Sequence, residues 1–267
     1  NTEQGGVLFT PTSELERFED INGLMRKYNS LVYARKHAER YLRIYKDHLY
    51  MKGYVDDTTK IIKKLKELSS TGISGYSDFV ESWLSKNPSY WIDSKEKLTA
   101  LKTIFSDSHV ALIYGSAGTG KSTLINHISN LYNDREKLYL ANTNPAVDNM
   151  RRKVNAGNCE FKTIAKFLSD YNADTECDIL FIDECSTVSN KDMRDILEKA
   201  TFKLLVLVGD VFQIEAILFG NWFSIARTFV PETSVSELSK PYRSTNERLL
   251  TIWDRVRKLQ DDILEPM

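Results

Sequence analysis

Apolar positions along this chain follow two rhythms, and the change between them falls near residue 108. From Ser13 onward, Leu15, Phe18, Ile21, Met25, Tyr28, Val32, Ala38, Leu42, Tyr45 and Leu49 keep a helical spacing, with Asn22-Gly23 as a break between a short helix and a long one. Further helices are predicted over Asp56 to Leu68, capped by Asp57 or Thr58, and over Ser77 to Leu84, with Asn87-Pro88 closing the region. No strand pattern stands out before residue 108, so residues 1–92 read as a mostly helical N-terminal region.

Asp93 to Phe105 reads as one more helix. Beyond it the pattern turns to short continuous apolar runs at 110–114, Leu138 to Ala141, Cys159 to Phe161, Ile179 to Ile182, Leu204 to Val208 and Val235 to Leu238. Helical stretches lie between most of them. Short apolar runs without polar alternation are buried on both faces, which predicts a parallel sheet covered by helices on each side. The expected fold class is α/β.

Bulk properties narrow this only a little. The chain has 267 residues, 42% hydrophobic and 27% charged, ordinary for a globular protein with a real core. A net charge of −1 gives no global basic field, so any surface for nucleic acid must be local. One such place exists. Arg26 to Lys52 carries eight Lys or Arg against Glu39 and Asp47, with Tyr28, Tyr33, Tyr41, Tyr45 and Tyr50 interleaved. Two readings stand: a nucleic-acid surface, or a helix with its tyrosines packed inward and its lysines solvated. Three cysteines, Cys159, Cys177 and Cys185, show no metal spacing and suggest a reducing compartment, and no membrane span or signal peptide is visible, so a cytoplasmic location is expected. The sequence opens on Asn1 and stops at Met267 after a helix-like segment, and reads as a piece of something longer.

The chemistry begins at Gly115-Ser116-Ala117-Gly118-Thr119-Gly120-Lys121-Ser122, which fits the P-loop pattern G-x-x-x-x-G-K-[ST]. The 110–114 run before it reads as a buried strand, and Leu124, Ile125, Ile128 and Leu131 after it carry a helical pattern. Glycines let the backbone wrap a phosphate chain, and N–H groups at a helix start point at the anion. The expected phosphate site therefore runs from Gly115 to Thr123, with Lys121 on the β- and γ-phosphates and Ser122 on Mg²⁺. The apolar strand from Ile179 to Ile182 ends in Asp183-Glu184, the Walker B arrangement. Asp183 is expected in the Mg²⁺ shell and Glu184 to orient or deprotonate the attacking water. ATP and Mg²⁺ are the expected cofactors. Cys185 reads as a small packing residue.

A third apolar strand runs into Gly209-Asp210-Val211-Phe212-Gln213, and here the chain resembles the superfamily 1 helicases, whose motif III reads G-D-x-x-Q. Ala141-Asn142-Thr143-Asn144-Pro145-Ala146-Val147-Asp148-Asn149-Met150 looks like motif Ia of the Upf-type and RecD-like members. Thr163-Ile164-Ala165-Lys166-Phe167-Leu168 is similar to their T-I-x-x-F-L element, Asp183-Glu184-Cys185-Ser186 to motif II, and Leu238-Ser239-Lys240-Pro241-Tyr242-Arg243-Ser244 to motif IV.

The resemblance implies a RecA-like ATPase domain over 93–238, with 239–267 opening a second motor domain supplied by the rest of a parent protein. It implies hydrolysis of ATP coupled to movement on single-stranded DNA or RNA; the alternative is a P-loop ATPase switch or assembly factor without translocation. By position, Gln213 would sense the γ-phosphate and Arg243 would face it across the domain cleft. Thr143, Asn144 and Thr163 would lie near the strand's sugar-phosphate backbone, although Thr163 also suits a helix N-cap. The family's adenine-reading glutamine aligns with Lys97, and Ile214-Glu215-Ala216-Ile217 follows Gln213 in the RecD-like manner. Trp222 and Phe223 could stack on bases or fill the core.

Overall fold

The computed structural model describes residues 7–239 apart from 16, 19, 171–174 and 211–217, together with 252 and 255. In chain order, the N-terminal part holds β1 (Thr10–Pro11), α1 (Ile21–Leu31), α2 (Ala34–His37), β2 (Leu42–Tyr45), β3 (His48–Met51), α3 (Lys52–Leu68) and α4 (Tyr76–Lys86). The α/β part follows: α5 (Lys95–Thr103), β4 (Val110–Gly115), α6 (Lys121–Leu131), β5 (Lys137–Ala141), α7 (Asn144–Lys153), β6 (Cys159–Thr163), α8 (Ile164–Ser169), β7 (Ile179–Ile182), α9 (Asn190–Lys199), β8 (Leu204–Gly209), α10 (Trp222–Ala226) and β9 (Val235–Leu238).

Six strands form one parallel sheet in the order β6-β5-β7-β8-β4-β9. The strands β4, β5, β7 and β8 are buried along their whole length, as continuous apolar runs require. Because strand side chains alternate, each strand feeds two cores. Ala111, Ile113, Tyr139, Phe181 and Val206 face one layer, packed by α4, α5, α6 and α7. Leu112, Leu140, Leu180 and Leu207 face the other, packed by α3, α8, α9 and α10. The strands expected at 110–114, 138–141, 179–182, 204–208 and 235–238 are all present, each within a residue of its expected bounds.

Helices α3 and α4 belong to this core even though they precede residue 92. Ile61 and Leu65 of α3 and Val80 of α4 are completely buried against the sheet layers. An ion pair between Asp57 of α3 and Arg194 of α9 adds a polar clamp at the rim, where Asn190 Nδ2 also donates to Thr58 Oγ1 at 2.7 Å.

The long helix expected through Leu49 is not there. Residues 42–51 form an antiparallel hairpin, and β1 joins β3 to make a second sheet in the order β1-β3-β2. Leu42, Tyr45 and Leu49 satisfy the helical spacing by coincidence, while alternation decides: Leu42 and Ile44 turn inward and Arg43 and Tyr45 outward. The two-residue loop Lys46-Asp47 has positive φ at both positions, 45° and 58°, the geometry whose twist matches paired strands. Nor does Asn22-Gly23 break a helix. Asp20 caps α1 by accepting the Gly23 N–H at 2.7 Å, and a Cβ at Gly23 would lie 1.9 Å from that carboxylate.

Candidate phosphate site at the sheet edge

The loop between β4 and α6 is shaped by its glycines. Gly118 and Gly120 have φ of 87° and 89°, which side chains rarely tolerate, and Gly120 leads into α6. A Cβ on Gly115 would sit 2.5 Å from Thr119 Oγ1 and 2.8 Å from the Leu238 carbonyl, so loop, helix start and β9 can approach only with glycine there. Thr119 locks the turn by donating to the Ser116 carbonyl at 2.9 Å. Lys121 folds back over the loop and donates to the carbonyls of Gly115 at 2.6 Å and Ser116 at 3.0 Å. Ser122 and Thr123 follow in the first turn of α6.

Asp183 and Glu184 arrive from β7, one strand beyond β8 from the loop strand. Asp183 is 8% exposed; burial pushes its carboxyl up from the ordinary range, opposed by the Glu184 N–H and the Lys121 charge. Glu184 is half-buried and also raised, first by burial and then by the neighbouring Asp183 charge. Its φ of 56° is unusual for a side-chain-bearing residue.

These groups meet in one cavity of about 570 Å³, lined by Lys121, Ser122, Thr123, Asp183 and Glu184 and by Ala117, Gly118 and Gly120 of the loop. That volume is within the usual range for small-ligand sites. The donors are a hydroxyl and carboxylates beside a lysine, hard oxygen groups of the kind that take Mg²⁺ with a polyphosphate. The residues present therefore fit both a phosphate chain and that ion.

Five lining residues were missing from the phosphate set read in the sequence: Asp93, Lys97, Asn149, Lys153 and Gly209. Asp93, two residues ahead of α5, pairs with the buried Lys97 of α5 at i,i+4 spacing, the one signal that sequence could have offered. His127 of α6 backs this wall. Its Nε2 lies 3.3 Å from Asp93 Oδ1 and its Nδ1 2.9 Å from the Tyr90 hydroxyl. Burial works against the Asp93 charge, but the bonds from Lys97 and His127 outweigh it and hold the carboxyl below its ordinary value.

Thr143, Asn144 and Thr163 stand apart from the cavity lining, at the C-terminal edge of β5 and β6. Ala141 is in register with Thr163, which brings the two threonines to neighbouring strand ends. Both are N-caps: Thr143 Oγ1 accepts from Ala146 N at 3.3 Å and Thr163 Oγ1 from Lys166 N at 3.2 Å. Asn144 is exposed at the first residue of α7. Gln213 and Arg243 lie outside the described residues.

Two open readings close here. Trp222 and Phe223 are core residues, 0% and 3% exposed, with Trp222 Nε1 donating to the Val188 carbonyl at 2.9 Å. Cys185 is fully buried, its Sγ 3.2 Å from the Ile182 carbonyl, and burial drives its thiol pKa up. Among the described residues, no helix is long and apolar enough to cross a membrane.

A six-stranded parallel RecA-like sheet with this loop after β4 and paired acids after β7 defines a P-loop NTPase domain. The chain belongs to the AAA domain family, whose model matches residues 94–263. Among solved structures it is similar to the Bacteroides Pif1 helicase in complex with ADP-AlF3 and ssDNA (18% identity, 66% of this chain and 49% of that chain, TM-score 0.47). It is also similar to the Pif1 helicase from Candida albicans (23% identity, 63% and 44%, TM-score 0.42) and to the arterivirus nonstructural protein 10 helicase with DNA (15% identity, 61% and 42%, TM-score 0.40). The chain spans about half or less of the length of each. No curated protein matches it.

Proposed function

We propose that this chain is the first motor domain of a superfamily 1 helicase or translocase, binding ATP with Mg²⁺ and acting with the rest of its parent protein on single-stranded DNA or RNA. The observation that carries this is the meeting of Lys121, Ser122, Asp183 and Glu184 in one cavity at the carboxyl edge of a parallel sheet, where open α/β folds take their ligands. The loop from Gly115 to Thr123 cradles the phosphates through backbone N–H groups. Lys121 exchanges its loop carbonyls for phosphate oxygens. Ser122 and Asp183 would hold Mg²⁺, which would supply charge neutralisation on the phosphates. Glu184, with its raised pKa, orients the attacking water and accepts its proton. In this reading Gln213 and Arg243 complete the γ-phosphate contacts.

Thr143, Asn144 and Thr163 support the strand path: small polar side chains on adjacent strand ends can contact phosphates without reading sequence. Residues 93–238 form the ATPase unit in this reading, and 239–267 open the second motor domain.

Steady-state phosphate release with and without single-stranded DNA and RNA tests the proposal, with Glu184→Gln as background. Stimulation by a strand supports a motor. Turnover that ignores every strand favours the second reading, a P-loop switch or assembly factor.

A further inference from the structure

The small N-terminal sheet carries rings and cations on one face, with Arg43 and Tyr45 exposed and His48 and Tyr50 half-buried. Its register sets Arg43 opposite Tyr50 and Tyr45 opposite His48, and residues paired across antiparallel strands project to the same side. The pairing of Thr10 with Leu49 carries Phe9 to the same face, where its ring centroid is 5.4 Å from that of Tyr50 and 6.5 Å from that of His48. Tyr45 is 60% exposed, and the Lys46 ammonium lies 5.4 Å from its ring centroid. Leu42 and Ile44 of β2 turn to the other side, less exposed than Arg43 and Tyr45.

Charge gathers along the same segment of chain. Arg26, Lys27, Arg35, Lys36 and Arg43 are all exposed and have no ion pair among the described residues. From Arg26 to Lys52 the eight cations and two acids give +6, on a chain whose total is −1. Of the five tyrosines here, Tyr28, Tyr33 and Tyr45 stand exposed, and Tyr41 and Tyr50 are half-buried. Flat exposed rings bordered by mutually repelling cations suit a flexible polyanion that carries flat faces of its own.

We propose that this face binds a single-stranded polynucleotide, with Tyr45, Tyr50 and Phe9 stacking on unpaired bases and Arg43, Lys46, Arg35 and Lys36 taking the phosphates. A duplex hides its base faces and cannot use the rings. The inference rests on the motor reading only for the class of partner, because none of these residues lines the phosphate cavity.

The test is fluorescence anisotropy of the whole chain with labelled oligothymidylate and oligouridylate of about 20 nucleotides, long enough for one stacking site. It is run without nucleotide over a salt series, so the platform is read by itself. Tyr45→Ala should weaken binding about five- to a hundred-fold, the loss of one stacked base, while Tyr45→Phe keeps it. Arg35→Ala/Lys36→Ala/Arg43→Ala should flatten the slope of log affinity against log salt by about two. If the triple variant unfolds early, Lys36→Ala alone should flatten it by about 0.7. Either oligonucleotide supports the proposal, and a preference between them identifies the sugar. Equal affinity for Tyr45→Ala and the unaltered chain, an unchanged salt slope, or equal binding of blunt duplex overturns it. Absence of ATP turnover counts against the motor reading and leaves these binding outcomes standing.

Discussion

Asp183 Oδ1 accepts the backbone N–H of Glu184 at 2.8 Å, and Glu184 is thereby held at φ 56°. A left-handed conformation at a residue with a long side chain costs about 1 kcal/mol, and strain of this kind collects at active sites. Burial also disfavours the Glu184 carboxylate. Asparagine tolerates this conformation better and carries no charge. Glu184→Asn should therefore raise the unfolding midpoint by about 2–4 °C while lowering phosphate release by about 10²-fold or more. A midpoint below that of the unaltered chain would show that the conformation stores no strain.

Lys121 sits on the carbonyls of Gly115 and Ser116, poised at the mouth of the loop. Charged contacts to phosphate are the strong bonds of such a site. ATP at about 100 times its Kd should stabilise the chain by about 2.7 kcal/mol, visible as a midpoint rise of several degrees. In Lys121→Ala that rise should vanish at the same ATP concentration. An undiminished rise would place the nucleotide elsewhere.

Much of this was legible because it is local. The loop glycines, Lys121 and the acids closing β7 are read from adjacent residues, and four apolar residues in a row announce a buried strand wherever they fall. What escaped depends on tertiary context. The hairpin at 42–51 was hidden because Leu42, Tyr45 and Leu49 keep a helical spacing even though Tyr45 faces away from the other two, and because its turn is Lys46-Asp47, not a glycine-bearing pair. The Asp93–Lys97–His127 wall joins residues up to 34 apart in sequence, which only the packing of α5 on α6 brings together. Trp222 and Phe223 could be read as exposed or buried until α10 had a place against the sheet.

Tyr139 offers a test of the core beneath the site. Its ring stacks between Phe161 at 4.6 Å and Phe181 at 4.5 Å, and its hydroxyl is 2.6 Å from Ser129 Oγ on the P-loop helix. Tyr139→Ala should cost about 3–5 kcal/mol by cavity formation. Tyr139→Phe keeps the stack and should cost only about 1 kcal/mol, because Ser129 still donates to the Ile125 carbonyl. Denaturant unfolding separates the two. A Phe variant as damaged as the Ala variant would make the hydroxyl link, not the stack, the main support.

His127 predicts how the fold responds to acid. Burial lowers its pKa below the ordinary 6.5, partly opposed by Asp93, while the Lys97 charge adds to the lowering. The folded state thus holds the imidazole neutral while the unfolded chain protonates it near its ordinary value. Stability from this group is complete above that value and falls as pH drops through it, by at most about 1.4 kcal/mol per pH unit. The fall ends once the folded-state pKa is passed. Asp93, facing the ring, has its own pKa below the ordinary carboxylate value, so its contribution is lost only at more acidic pH. Tyr90, the other partner of the ring, is pushed up to about 12 by burial and stays neutral throughout. Unfolding free energy should therefore decline between about pH 7 and pH 5.5, inside the window set by an ordinary histidine. His127→Gln should start lower, having lost well-placed bonds to Tyr90 and Asp93, yet show a flatter dependence over the same interval. Parallel curves for the two proteins would mean that another group drives the acid response.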